Sequence, residues 1–492
     1  MKLKIKKLGI KTGGHLVALL HEKNLQELDI VPGDRIEIKK GKKKYVAIVD
    51  STNQETTIKK NEIGLFTELI NGELKEKLTV EIERAKKPQS INAIKEKLDG
   101  KELTNEETKE IIKDLIENRL TEIETTYFIA GCYKNGMTLN ESKYLTEAIV
   151  NGSKKLEFKG EKVVDKHCIG GVPSNRTTMV VVPIIATAGL LIPKTSTRSI
   201  TSVAGTADTM EVLAPIKHTK EQIKAIVKKT NGCMVWGGTL DLASADDMLI
   251  KFERALSLDP QGILLASILA KKASVGAKYV LIDIPIGPQA KVKTKKEAKE
   301  LKNKFIRLGK KLDIKVKVMF SDGSEPIGNG IGPALEARDV LLVLQNNGPK
   351  DLRKKSLKMA GMIMQMAGIK FAKLKAYKIL RSGKAYEKMK EIIKAQGGNE
   401  HITPERIKLG QWTTKIKAKK TGRVIAINNK ILTRIGKRTG APNEKGAGIY
   451  LHKKKNQIVE KGQPLYTIYA EKEEKKDMAE QLAKENSGYT IK

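Results

Sequence analysis

The sequence predicts a multidomain α/β protein in which helical and α/β segments are flanked by an N-terminal and a C-terminal β domain. Its 492 residues are more than one hydrophobic core organises, so roughly two to four domains are expected. The middle of the chain alternates short, β-rich, glycine-bounded runs with helical stretches, the pattern of a sheet covered by helices. Both ends instead carry strands of period two separated by tight turns.

Residues 1–86 read as a barrel-like β domain. KLKIKKL, RIEIKK and LTVEIERA alternate apolar and charged positions, and Gly13-Gly14, Pro32-Gly33 and Asn71-Gly72 punctuate them. Over residues 88–158 the apolar period becomes helical. There NEETKEIIKDLIENRL opens on Asn105 as the predicted N-cap and sets Ile111, Ile112, Leu115 and Ile116 on one face. Between about 160 and 400, KVVDKH, CMVWG, YVLIDIPI and KVKVMF read as the buried strands of an α/β domain. Residues 405–492 form a C-terminal β-rich domain (KIKAKK, GRVIAI, GAGIYL, PLYTIYA) closed by a charged tail, EKEEKKDMAEQLAKEN, expected to be helical or frayed.

Charge narrows the function. With 93 Lys+Arg against 57 Asp+Glu, the net charge of +36 calls for an anionic partner: nucleic acid, a membrane surface or a phosphorylated substrate. Aromatic residues make up only 4% of the chain and no zinc finger or RNP-type run is present, which argues against nucleic acid. Dense Lys and Glu also suit the surface of a heat-adapted protein. The longest apolar run, near residues 180–193, contains Pro183 and Gly189 and falls short of the ~20 residues that span a bilayer. The basic N-terminus lacks the apolar stretch of an export signal. Cys132, Cys168 and Cys233 have neither disulfide nor zinc-site spacing. A cytoplasmic protein, bound to neither membrane nor nucleic acid, is expected.

Two segments carry the chemistry. In DKHCIGGVPSNRTT, residues 165–178, a strand runs into Gly170-Gly171 and then into a helix expected to begin near Ser174. Glycines let backbone N–H groups approach an anion, the helix start adds positive dipole, and Lys166 adds full charge. A tight strand-to-helix connection would look the same. In KTSTRSITSVAGTADTMEVL, residues 194–213, hydroxyls crowd around Arg198, whose guanidinium can hold a phosphoryl group bidentately. The alternative is a solvated Ser/Thr loop.

These residues resemble the type-two nucleoside phosphorylases, whose thymidine phosphorylase members carry D-K-H-S-T-G-G-V and a later S-G-R-G…G-G-T-x-D-x-x-E. The matching positions are Asp165-Lys166-His167 with Gly170-Gly171-Val172, then Ser196-Thr197-Arg198 with Gly205-Thr206-Ala207-Asp208 and Glu211. SILAKK at 267–272 and EPIGNGIGPALE at 325–336 are similar to two further family segments, so the likeness spans about residues 90–490. The chain departs at Cys168-Ile169, where the family has Ser-Thr, and in the loop R-S-I-T-S-V-A-G, which has gained hydroxyls. Extra donors suit a 5′-phosphate. With the added N-terminal module, the pattern resembles archaeal AMP phosphorylases, a family that converts AMP, and less selectively CMP or UMP, with phosphate into free base and ribose 1,5-bisphosphate.

The resemblance implies a helical domain, into which about 244–277 also packs, beside an α/β domain of 159–243 and 278–400, with the active site in the cleft. It implies Asp259 as proton donor to the leaving base, kept protonated by partial burial. Substrate contacts are expected from Gly171, Thr197, Arg198, Ser199, Ile200, Thr201, Ser202, Thr206, Ser267 and Lys291, and orthophosphate contacts from Lys166 and Thr178. His167 is given a hydrogen-bonding role, because inorganic phosphate is already a nucleophilic anion. No cofactor or metal is expected, inorganic phosphate being a co-substrate; Asp246-Asp247 reads as a helix start rather than a magnesium pair. The C-terminal strands are expected to serve packing or assembly, and a homo-oligomer, dimer or larger, is anticipated. Two rivals stay open: a pyrimidine nucleoside phosphorylase, and a basic nucleic-acid-binding or scaffold protein.

Overall fold

The computed structural model describes residues 1–13, 16–70, 74–158, 161–199, 202–239, 244–256 and 258–492. The turns predicted at Gly14 and Asn71-Gly72 lie outside them. The chain forms two compact units, Met1–Gly152 with Ser244–Ser267, and Ser153–Ala243 with Ile268–Lys492.

In the first unit, alternation turns into a closed barrel. Its strands run in the order Lys2–Lys7, Glu62–Leu65, Val17–His21, Lys43–Thr52, Arg35–Lys40, Thr79–Arg84, and the last pairs back onto the first. Leu3 and Ile5 point inward while Lys2 and Lys4 stay exposed, and Ile36, Ile38, Val80 and Ile82 complete the pattern around Leu20, Val49 and Ile63. Closure leaves no unpaired edge.

The helices Ser90–Leu98, Asn105–Ile116, Glu122–Lys134, Leu139–Asn151 and Ser244–Leu256 follow in the same unit. Three start with a reciprocal Thr-x-x-Glu cap, at Thr104/Glu107, Thr121/Glu124 and Thr138/Glu141. The N-cap of the second helix is therefore Thr104, not Asn105. Its hydroxyl accepts from the Glu107 N–H at 3.2 Å and the Glu107 carboxylate accepts from the Thr104 N–H at 2.7 Å, two orphan donors satisfied together. Glu141 also takes the buried Lys97 ammonium at 2.6 Å, and Glu124 pairs with Arg35 of the barrel.

The second unit is built on five parallel strands. Lys315–Asp322, Tyr279–Ile286 and Val164–Cys168 pair in that order, Ile192–Ser196 pairs with Gly232–Trp236, and a bridge between Val163 and Leu191 joins the two sets. Helix Thr177–Thr187 is buried on every side, as its unbroken apolar run requires. It shares one core with helices Pro333–Leu344, Lys350–Met366, Ala372–Arg381 and Lys384–Ala395.

The C-terminal strands are woven into this unit. Gly330–Ile331, from the α/β part, pairs with Gly448–Leu451, which continues through Pro464–Ala470 to Trp412–Lys417. A second small sheet holds Ile458–Val459, Gly422–Ile427 and Tyr489–Ile491. The charged tail is an ordered helix, Glu473–Glu485, because Ala479 and Ala483, one turn apart, are buried; the strand Tyr489–Ile491 ends it by pairing with Gly422–Ile427. Helix Asn429–Arg438, capped by Asn428 and burying Leu432 and Ile435, was not anticipated within this strand-rich text.

Candidate active site

Five parallel strands in one sheet place their carboxyl ends along one edge, where α/β folds bind ligands. Those ends are Cys168, Ser196, Trp236, Ile286 and Asp322. The Gly-Gly turn, the hydroxyl-rich loop and the loop bearing Lys291 thereby gather from distant sequence.

Gly170 and Gly171 have φ of +96° and +86°, a region that disfavours side chains. At Gly171 a Cβ would stand 2.6 Å from the backbone nitrogen of Lys291, so the turn lies directly on that loop. The helix after the turn begins at Thr177 rather than near Ser174, because Ser174 and Asn175 both take left-handed conformations, with φ of 61° and 59°. Thr178, buried in its first turn, sits beside Thr177, whose hydroxyl oxygen accepts from the Lys166 ammonium at 2.9 Å.

Strand alternation sends Asp165 and His167 to one face of the sheet and Lys166 and Cys168 to the other. On the first face, buried Asp165 meets Lys272 at 2.7 Å and Lys194 at 3.5 Å. Burial opposes ionisation of Asp165, but the two lysines outweigh it and hold its carboxyl below the usual range. Burial pushes Lys272 down to about 7 against the pull of Asp165, and burial followed by Lys272 and Lys194 drives His167 well below its usual value. Its surroundings thus favour the neutral imidazole.

On the second face, Asp283 stands opposite Cys168 in register, accepts from the Ser321 hydroxyl at 2.6 Å and pairs with Lys355 at 2.7 Å. Each face therefore carries two buried lysines and one buried aspartate, a net positive charge on both sides of one strand. Burial pushes Lys166 down to about 8.

The hydroxyl-rich loop is held from within. Gly205 is packed so that a Cβ would meet the Thr197 carbonyl oxygen at 2.5 Å and the Ser199 nitrogen at 2.7 Å. Asp208 accepts from the backbone of Ser199 at 2.6 Å and of Gly205 at 2.9 Å. Arg198 spends its guanidinium here, on Asp208 at 3.0 Å and on both oxygens of Glu211 at 2.7 and 2.5 Å, with the Trp236 ring 5.3 Å away. Hydrogen bonds from Arg198 hold Glu211 down to about 2. Arg198, expected at a phosphoryl group, has its two terminal nitrogens on carboxylates and braces the loop. The Ser199 and Ser202 hydroxyls likewise donate to the carbonyls of Ser202 and Ala204. Thr197 is exposed and Thr206 half-buried; Ile200 and Thr201 lie outside the described residues.

Sequence reading passed over Arg176, inside the first motif, and Lys445. Arg176 donates to Thr206 at 2.8 Å, to the Ala204 carbonyl at 3.1 Å and to the Ser174 carbonyl at 3.0 Å, and pairs with buried Glu336 at 2.6 Å. Burial pushes Glu336 up to about 7 despite this partner. Lys445, in the turn ahead of strand Gly448–Leu451, pairs with Glu211 at 2.7 Å. A lone basic residue in a charged sequence gives no signal; only the fold shows where it points.

Asp259 and Ser267 belong to the first unit. Asp259 precedes helix Gln261–Ser274 and is exposed, so the partial burial expected of it is not present. Ser267 is buried on that helix, whose later turns, in the second unit, supply Lys272 to Asp165. Asp246 and Asp247 occupy the first turn of helix Ser244–Leu256. Lys291 is exposed on its loop.

Comparison with known proteins places this geometry. Residues 91–152 match the helical bundle domain and residues 160–386 the a/b domain of a glycosyl transferase family, and residues 424–490 match the pyrimidine nucleoside phosphorylase C-terminal domain. The chain is 44% identical over 483 residues to the AMP phosphorylase of Methanosarcina barkeri, covering 97% of this chain and 95% of that one. The chain belongs to the AMP phosphorylase family. It is also 42% identical to AMP phosphorylase 1 of Archaeoglobus fulgidus, over 96% of this chain and 94% of the relative. With the AMP phosphorylase of Thermococcus kodakarensis it shares 44% identity, over 98% and 96%. The crystal structure of anthranilate phosphoribosyltransferase from Thermus thermophilus superposes with a TM-score of 0.53 at 16% identity, over 62% of this chain and 99% of that one, a likeness of fold. Among the described residues, no helix is long and apolar enough to cross a membrane.

Proposed function

We propose that the chain is a pentosyltransferase that cleaves nucleoside 5′-monophosphates with inorganic phosphate: AMP and phosphate give adenine and ribose 1,5-bisphosphate, with CMP and UMP as further substrates. The observation that carries this reading is the buried positive charge where the sheet's strands end, Lys166, Lys194, Lys272 and Lys355 against Asp165 and Asp283. Two anions must meet at one sugar, and fixed cations in a low-dielectric site lower the cost of bringing them together. Family membership supports the same reaction.

In this reaction a phosphate oxygen forms a bond to C1′ while the C1′–N bond breaks, and its electron pair leaves with the base. A proton must reach the base for it to depart neutral, and Asp259 is assigned that donation. Lys166 and Thr178 are assigned to orthophosphate. Gly171, Thr197, Ser199 to Ser202, Thr206, Ser267 and Lys291 are assigned to the nucleotide, with Arg198 shaping the loop that holds it. Three cysteines outside any disulfide suit a cytoplasmic enzyme of small molecules, to which we assign no cofactor and a homo-oligomeric state.

The test is base release from AMP, CMP, UMP, thymidine and uridine, with and without phosphate. Phosphate-dependent release from the monophosphates is expected. Release from the nucleosides alone would make the chain a nucleoside phosphorylase, and none from any substrate would end the enzymatic reading.

A further inference from the structure

Lys355 lies on helix Lys350–Met366, outside every segment that the sequence motifs single out, yet it is buried at the orthophosphate face of the sheet. Its ammonium stands 2.7 Å from Asp283 but without the alignment of a hydrogen bond, while Ser321 donates to the other Asp283 oxygen at 2.6 Å. Lys166 shares this face and has a different environment. Its ammonium donates to Thr177 at 2.9 Å, and among the described residues no carboxylate is within ion-pair distance of it. The three charges are near enough to act on one another: Asp283 favours the Lys166 proton, and Lys355 disfavours it.

We propose that Lys355 is a positioning residue for phosphate, which by occupying Asp283 keeps that buried carboxylate from capturing Lys166. A buried aspartate left without a cation is costly, and it would pair with whatever cation lies nearest. With Lys355 in place, Asp283 is neutralised and Lys166 keeps its charge for an incoming anion. Without it, Asp283 and Lys166 form a closed pair and the face loses the positive charge that phosphate needs. The assignment rests on Lys166 holding orthophosphate in the reaction proposed above, and it reaches beyond that reading by giving Lys355 and Asp283 roles that no motif supplies.

The test separates the two. Wild-type protein is first assayed for phosphate-dependent adenine release from AMP; absence of that activity would remove the reaction itself. Given activity, Lys355→Met is expected to raise KM for phosphate by about tenfold or more, with KM for AMP within about twofold of wild type. Adding Asp283→Asn to that variant removes the competing charge, so the double variant should return the phosphate KM to within about threefold of wild type. A purely structural lysine predicts instead a loss of stability in which the KM values for phosphate and AMP move together, so the selective change in the phosphate KM is what separates the two roles. Lys355→Arg, which keeps the charge, should stay near wild type. Should Lys355→Met fail to fold, Lys355→Gln, which retains a donor for Asp283 without charge, gives the same reading. An unchanged phosphate KM in Lys355→Met or Lys355→Gln, or no recovery in the double variant, overturns the proposal.

Discussion

Lys166 holds its proton against burial, and that sets how the protein should respond to pH. Burial pushes the group down to about 8, so the ammonium is lost from the folded protein as pH rises past that value. On the proposed reading, kcat/KM for phosphate falls above about pH 8, to be read from a pH profile at saturating AMP. Stability moves the other way. Between about 8 and the ordinary lysine value the unfolded chain binds more protons than the folded one, so this group's contribution rises with pH across that window. Lys166→Met should flatten that part of the dependence of Tm on pH. Asp259→Asn should lower kcat for base release by ~10²–10⁴, the range of a lost general acid, and leave KM for phosphate nearly unchanged. At this scale the sequence located Arg198 but not its carboxylate partners. Its chemistry permits a phosphate clamp, and only the fold shows Asp208 and Glu211 returning to the same guanidinium.

The turn from strand Val164–Cys168 into helix Thr177–Thr187 contains two glycines of the same backbone conformation and different surroundings. Gly171 faces the Lys291 backbone at 2.6 Å, whereas around Gly170 a Cβ would meet nothing within 4 Å. Both alanine substitutions carry the strain of positive φ, about 1–2 kcal/mol. Only Gly171→Ala must also push two loops apart. It should lower kcat/KM by more than about tenfold, while Gly170→Ala lowers Tm with a smaller loss of activity. Thr104→Ala, far along the chain in the first unit, should cost about 1 kcal/mol in chemical denaturation and leave kcat untouched. The elements were legible where one rule governed them. Strand alternation foretold the barrel's inward Leu3, Ile5, Ile36 and Ile38, and glycine-bounded apolar runs foretold the parallel strands. Boundaries were not, because Ser174 and Asn175 adopt conformations that nothing in SNRTT announces.

For the whole molecule, the C-terminal region is structural support for the site. Lys445 reaches Glu211, Lys454 donates to the carbonyls of Pro326 and Gly328 at 2.6 Å each and pairs with Asp351 at 3.1 Å, and Gly448–Leu451 completes the pairing of Gly330–Ile331. Removing residues 411–492 should therefore expose Ile331 and Leu335 and give an aggregating, inactive chain, checked by size-exclusion chromatography and base release. Composition made this region readable as strands. It could not reveal that those strands pair with a segment more than a hundred residues earlier, since a period of two fixes which face is buried and leaves the partner unstated.

Lys445 also has a meaning for synthesis. The loop it braces leaves the ribosome more than two hundred residues before it does, and a chain is made at only ~5–20 residues per second. For that interval Glu211 has Arg198 but not its second cation. The loop is completed only once residue 445 has been made, so a protein that consumes a cell's nucleotides acquires its full brace long after the loop itself has been synthesised.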